Sequence, residues 1–292
     1  MKLYLDIYKL VLLYLNFNSK HKFRLLSKEL LKLNITDLYN IDVKYVVRIN
    51  DDVLKNYKYV EKICVASCCN ISCIKHLTCL KYLIDRCDLL DDSQISGMTK
   101  LEYLVIDCNT KITNLNFLTN LKYLDMSETL ITNDGIRNCT NIEIIRIKGS
   151  KITNLNRLTK LKKLDSSNCV LDKFGINNCT LLEEIELFDV VRIDFDMSCM
   201  RNLTRLNASG KRCELANKDI KNCTNLTSLE IWNNKYITDI NHLAKLKYLD
   251  AGYDSVLSNE GFICCTNIEI LDIFGNRNID RQKLGHLAKL RR

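Results

Sequence analysis

The sequence predicts an α/β solenoid, with a curved parallel sheet on the concave side and short 3-10, helical or extended returns on the convex side. A small N-terminal helical segment precedes it. Three observations point there. A pattern of apolar residues recurs at steps of 19 to 23 residues. One cysteine position recurs at twice that spacing. The chain of 292 residues has no proline and only 9 glycines, thin punctuation for a compact mixed fold, while its 47% of hydrophobic residues can fill a sizeable core.

The apolar pattern is Leu-x-x-Leu/Ile-x-apolar. Copies begin at Leu80, Leu101, Leu121, Ile142, Leu161, Leu182, Leu203, Leu226, Leu246 and Ile268. A degenerate first copy starts at Val60 and a truncated last one lies at Leu287–Leu290. One copy cannot bury its own leucines, so neighbours must stack. Eight residues after each start, a side chain able to bond the turn backbone is expected. Cys68, Asp88, Asn109, Thr129, Ser150, Cys169, Asn234, Asp254 and Asn276 stand at that place, and Val190 and Lys211 interrupt it. The combination resembles the leucine-rich repeat, which implies a strand per copy and about eleven copies over residues 60–292. Strands about 4.8 Å apart then give a sheet on the order of 45 Å long.

The copies alternate in kind. Returns such as Lys111–Leu118 resemble the short repeats of internalins. Those such as Ile131–Cys139 look like the cysteine-containing repeats of F-box proteins. Cys139, Cys179, Cys223 and Cys265 follow one another at 40, 44 and 42 residues, so the true period is a pair of copies. Cysteines at one repeat position point the same way on successive coils and are expected to be buried, unpaired small hydrophobes.

Residues 1–45 lie outside the expected repeats, and 46–59 are expected to be a linker or cap. Leu5, Tyr8, Leu12 and Leu15 fall near helical spacing, and Phe23, Leu25, Leu26, Leu30, Leu31 and Leu33 suggest a second amphipathic helix. One reading is a cap over the end of the solenoid. The other rests on resemblance: Leu10-Val-Leu-Leu-Tyr-Leu15 and Phe23-Arg-Leu-Leu-Ser-Lys28 resemble the two helices of an F-box, although Leu3 is followed by Tyr4 where that motif has proline. The resemblance implies a Skp-type adaptor of a cullin ubiquitin ligase as a partner, with Leu12, Leu15, Leu25 and Leu26 as the contact or as the segment's own core.

The net charge of +8 is uneven, since residues 1–60 hold 11 Lys/Arg against 6 Asp/Glu. A nucleic-acid binder more often carries a basic stripe along its working face, and the Lys20–Arg24 run is short, so no nucleic-acid partner is expected. Asp6 and Lys9 interrupt the first apolar stretch and no run of 18 apolar residues occurs, so neither a secretory signal nor a membrane span is expected, and the chain is read as cytoplasmic and monomeric.

Residues within a strand alternate inward and outward. The middle outward column runs Ile84, Val105, Asp125, Arg146, Asp165, Glu186, Asn207, Glu230, Asp250 and Asp272, of which six are acidic. The column before it carries Tyr82, Tyr103, Tyr123 and Tyr248. The column after it carries Phe188, Trp232 and Phe274. Exposed aromatics anchor interfaces and acids favour a basic partner. The expected partner-binding face is therefore Tyr103, Tyr123, Asp125, Asp165, Glu186, Phe188, Glu230, Trp232, Tyr248, Asp250, Asp272 and Phe274.

No catalytic site, metal or cofactor is expected. Cys64, Cys68, Cys69, Cys73, His76 and Cys79 cluster, and zinc favours such ligands. However, Cys68 occupies the turn position, and the His76 position is held by Phe117 and Arg157 in other copies. No phosphate-cradling glycine loop or dinucleotide fingerprint occurs. The carboxylate column is expected to be too exposed for much shift in its pKa values.

Overall fold

The structure is a computed structural model and describes residues 37–38, 51–55, 59–65, 71–85, 88–190 and 197–291. Among them, twelve strands form one parallel sheet in chain order. They are β1 (Asp37–Leu38), β2 (Lys62–Cys64), β3 (Tyr82–Ile84), β4 (Tyr103–Val105), β5 (Tyr123–Asp125) and β6 (Ile144–Arg146), then β7 (Lys163–Asp165), β8 (Glu184–Glu186), β9 (Arg205–Asn207), β10 (Ser228–Glu230), β11 (Tyr248–Asp250) and β12 (Ile270–Asp272). From β2 to β12 the central residue of each strand is the second Leu or Ile of the motif. These residues pair in register, as in Leu83↔Leu104, Ile145↔Leu164 and Leu229↔Leu249. The segments around Leu121, Leu161 and Leu246 are thus rungs of one sheet, and the strand register read from the leucines holds.

The returns match their composition. Twenty-odd residues leave no room for a long helix, and the described ones are single turns: α1 (Asp51–Leu54), α2 (Asp92–Ile95), α3 (Asn217–Ile220), and 3-10 turns such as Asn133–Ile136 and Asn259–Phe262. The first residue of such a turn ties down the next coil. Asp51, Asp92, Asn133 and Asn217 each accept from two successive backbone N–H groups of the following return, for example Thr113 and Asn114 on Asp92 Oδ1 at 2.9 and 3.1 Å. These donors would otherwise be unpaired in an extended segment.

Cysteine and glycine belong to the turned returns for steric reasons. Cys139, Cys179, Cys223 and Cys265 are fully buried in the column that Leu118, Leu158 and Leu243 fill in the alternate copies. The thiols of Cys139 and Cys265 donate to Leu115 O and Ile240 O of the preceding coil, both at 3.2 Å. Burial pushes all four thiols up to about 12. Gly135 and Gly261 lie where an added Cβ would press on the backbone carbonyls of Thr113 and Thr238. Their own carbonyls accept from Leu115 N and Ile240 N at 2.7 Å, so the coils touch there backbone to backbone.

The turn position is filled as expected by Asn109 and Asn234. Asn234 Nδ2 donates to Ala208 O, Cys213 O and Leu215 O, and its Oδ1 accepts from Tyr236 N and Ile237 N. Two assignments are corrected. Asp254 is exposed and Ser255 is buried in its place, one residue later than the repeat count gives. Asp88 has a left-handed φ of 50° and accepts from Thr110 N at 2.8 Å, as the preceding turn residue does in other copies. Conversely Val190, counted as an interruption, is fully buried at the turn position.

The sheet also reaches back further than the motif. Asp37 and Leu38 pair with Lys62 and Ile63, and Asp51 caps the following return as Asp92 does, so the sheet continues by one strand before β2. Leu12, Leu15, Leu25 and Leu26 lie outside the described residues.

Along the rim of the strand face, one residue after each motif start, charges alternate in sign. Glu61 pairs with Lys81 at 3.1 Å, Glu102 with Lys122 at 2.8 Å, Glu143 with Lys162 at 2.8 Å, and Glu269 with Lys247 at 3.2 Å and Arg291 at 2.7 Å. At the two equivalent places between, Thr204 and Thr227 instead donate their hydroxyls to the preceding strand's backbone, both at 3.1 Å.

Candidate partner-binding face

The strand face divides into two unlike halves. On β3 to β5, the rings of Tyr82, Tyr103 and Tyr123 stack with centroids 3.9 and 4.1 Å apart and planes within 10°. In-register parallel strands put identical side chains one above another, so this stack follows from the repeat itself. Burial, followed by the hydrogen bond to Tyr103, raises the Tyr123 phenol. Ile84 and Val105 beside the stack are buried.

The carboxylates of the middle column serve two purposes. Asp125, Asp165, Asp250 and Asp272 each accept from the backbone N–H two residues later, at 3.2, 3.1, 3.0 and 2.9 Å, and Asn207 does the same at 3.0 Å. This local bond closes the turn after the strand, as Asp and Asn side chains do elsewhere. Asp125 is buried, also accepts from Ser127 Oγ, and lies 3.8 Å from Arg146, so it offers little surface to a partner. Asp165 is likewise bonded to both N and Oγ of Ser167.

From β8 to β12 the acids are less satisfied. The outward columns there hold Glu184, Glu186, Glu230, Asp250 and Asp272 against one cation, Arg205. Lys163 takes Glu184 at 2.7 Å. Arg205 reaches Glu186 at 3.7 Å and Glu230 at 3.4 Å. Asp250 pairs in register with Asp272 on one side and Glu230 on the other, an arrangement of like charges that destabilises neighbouring strands. Burial, then the charge of Glu230, raises the Glu186 carboxyl; burial, then Asp272 and Glu230, raises that of Asp250. Glu186 and Asp250 are thus partly shielded from water on the strand face.

Those residues form a row. Phe188 and Trp232 have ring centroids 5.2 Å apart, Trp232 and Tyr253 6.1 Å, and Tyr253 and Phe274 5.8 Å. Phe274 is 66% exposed and Tyr253 54%. Tyr248 is half-buried on β11 beside the acids. Tyr253 and Arg205 were missed in the sequence. Tyr253 follows Gly252, which leaves a gap in the aromatic column, and a φ of 53° carries the neighbouring ring into the row; the pairing of a gap with an adjacent aromatic was the available signal. Arg205 stands in the column of the tyrosines, where the alternation of inward and outward positions alone does not mark a cation facing acids.

Among the described residues no group of three or more His, Cys, Asp or Glu could hold a metal ion. Cys68 and Cys69 lie outside them, and the His76 ring nitrogen is 3.2 Å from Leu54 O. The buried thiols near 12 stay protonated at neutral pH and are poor nucleophiles. No described helix is long and apolar enough to cross a membrane.

No family model and no curated protein matches the sequence. Solved structures do match. The functional domain of InlJ from Listeria monocytogenes, described as including a cysteine ladder, is 22% identical with a TM-score of 0.61, and the match covers 82% of this chain and 54% of that one. The internalin InlF from the same species is 18% identical, covering 86% and 88%, with a TM-score of 0.58. TLR13 in complex with an ssRNA is 16% identical, covering 93% and 44%, with a TM-score of 0.64. The chain thus spans about half the length of the InlJ domain and of TLR13. At these identities the likeness is one of fold: a parallel-sheet solenoid of short repeats.

Proposed function

We propose that this leucine-rich-repeat solenoid is a protein-recognition module that holds a partner on its strand face, and that its N-terminal segment joins it to a cullin-type ubiquitin ligase as the substrate-recognition subunit. The recognition reading is carried by one observation: the outward columns of β8 to β12 present five carboxylates against one arginine, beside a row of four aromatic rings, two of them more than half exposed. Large rings and desolvated charge are what interface hot spots are made of. The same carboxylates oppose phosphate backbones, so a ligand of the kind in the TLR13 complex is not favoured here. The module acts as a monomer without a cofactor.

The test compares proteins captured by the whole chain and by two variants. Tyr253→Ala with Phe274→Ala is expected to lose the specific partner, while Phe174→Ala, 55% exposed on the return side, keeps it. Equal capture by all three overturns the strand-face reading.

The ligase tether rests on the resemblance of Leu10–Leu15 and Phe23–Lys28 to an F-box. The continuation of the sheet to Asp37–Leu38 favours a second reading, in which the preceding residues cover the end of a free-standing scaffold or inhibitor. Retention of a Skp-type adaptor by the whole chain, abolished by Leu15→Asp and Leu25→Asp with the repeats still folded, supports the tether. No retention by the unmodified chain removes it and leaves the strand-face reading intact.

A further inference from the structure

Within that strand face, whose role as a partner site is the reading this inference rests on, one place is built differently from the rest. Ser209 stands in the outward column of β9, between Phe188 after β8 and Trp232 after β10. It is fully buried, and its hydroxyl oxygen finds no hydrogen-bond partner among the described residues. An unpaired buried hydroxyl is a cost that folded proteins usually avoid. Its backbone N–H is used by Asn207 Oδ1 at 3.0 Å.

The rings reach each other across an intervening strand. Strands two apart lie about 9.6 Å from one another, yet the Phe188 and Trp232 centroids are 5.2 Å apart and the planes are inclined by 33°. A planar group stacked between two aromatic faces needs about 7 Å, two van der Waals contacts of about 3.5 Å. The rings must therefore swing apart from their 5.2 Å separation to admit such a group. Glu186 and Glu230 flank the gap one pleat away; Arg205 meets them at 3.7 and 3.4 Å and Asn207 Nδ2 donates to Glu230 at 3.1 Å, so among the described ion pairs no cation lies within close, charge-assisted range of either.

We propose that this place is an arginine slot: the guanidinium of an arginine on an extended segment of the protein partner enters between Phe188 and Trp232, stacks on both rings, and donates to Ser209 Oγ and to Glu186 and Glu230. Arginine fits where lysine does not, because its planar fork stacks and donates in one plane at once. Arg205 already shows a guanidinium lying between the same two carboxylates, supplied by the chain itself. Asp250 and Asp272, in register beyond Glu230 and without a cation of their own among the described ion pairs, set the direction in which further basic residues of the segment would run.

The chain has a single tryptophan, so its emission reports on one wall of this slot. The whole protein is titrated with a labelled peptide of alternating arginine and glycine, and with its lysine twin, following both anisotropy and tryptophan emission. The arginine peptide is expected to change the emission and to bind roughly tenfold tighter than the lysine twin. Phe188→Leu, checked for folding by circular dichroism, should erase that preference. Ser209→Ala should weaken the arginine peptide several-fold while raising the melting temperature of the free protein, a pairing that a purely structural serine would not give. Equal binding of the two peptides with unchanged emission, fading together as salt is raised, reports diffuse attraction and overturns the slot. Failure of both peptides to bind also overturns it, and the strand-face reading then still stands or falls on the Tyr253 and Phe274 variants.

Discussion

The run of Glu230, Asp250 and Asp272 makes a quantitative prediction about stability. Asp250→Asn removes the central charge of three in-register carboxylates while keeping an oxygen to accept from Gly252 N, the bond that Asn207 makes to Ser209 in the neighbouring copy. Like charges on adjacent strands about 5 Å apart, half-shielded by water, repel by about 0.5–1 kcal/mol per pair. Relief of both pairs should therefore stabilise the folded protein by about 1–2 kcal/mol at neutral pH, or a rise of several degrees in melting temperature at about 2–4 °C per kcal/mol. The pH dependence follows from the raised carboxyl of Asp250. A group held above its ordinary value favours the folded state when protonated, so that contribution is complete below the ordinary carboxylate range and is lost as pH rises through the raised value. The variant's advantage should accordingly be full at pH 7 and vanish near pH 3.5. Melting curves followed by circular dichroism between those limits decide the matter. A variant no more stable than the parent at pH 7, or one whose gain is the same at both ends, would refute the account of three like charges in register.

Other expectations test the packing. Leu229→Ala, at a fully buried site, should cost about 2–5 kcal/mol in denaturant unfolding, whereas Phe274→Ala should change stability by less than about 1 kcal/mol; equal losses would mean that inward and outward positions have been exchanged. Asn234→Ala leaves three carbonyls and two N–H groups without partners and should cost about 3–5 kcal/mol by the same measurement. Cys139, Cys179, Cys223 and Cys265 should resist a thiol reagent at pH 8 until the protein is unfolded, while the exposed Cys108 and Cys264 react at once; peptide mass spectrometry of the labelled chain distinguishes them.

Much of this architecture is legible in the sequence because it is periodic. A residue that must be buried in every coil, such as the leucine at Leu83, Leu104 and Leu124, announces itself by recurrence. Register, the outward columns and the buried cysteines follow from the same counting. What counting cannot reach is anything that slips by one residue. Asp254 and Ser255 exchange places because a turn after β11 is longer by one, and Tyr253 joins the aromatic row from outside its column through a left-handed backbone. Nor does position alone separate the two uses of an acidic side chain: Asp125 and Asp250 occupy equivalent places and close equivalent turns, yet one is buried against Arg146 and the other faces two like charges. The strand Asp37–Leu38 lies where the sequence lacks the motif's regularity, so counting does not reach it.

The charged rim has a bearing on how such a chain can change length. Because acid and base take turns from coil to coil, excising the single coil 121–141 would set Glu102 beside Glu143, whereas excising the two coils 121–160 would set Glu102 beside Lys162. Along residues 111–179 the returns follow the same parity, the extended ones at 111–118 and 151–158 alternating with the turns that hold Gly135 and Gly175. Within that stretch a change by two coils leaves each junction as it was, whereas an odd step creates a seam. This part of the array is in that sense built in twos, and a lineage that lengthened it there would be expected to have done so two coils at a time.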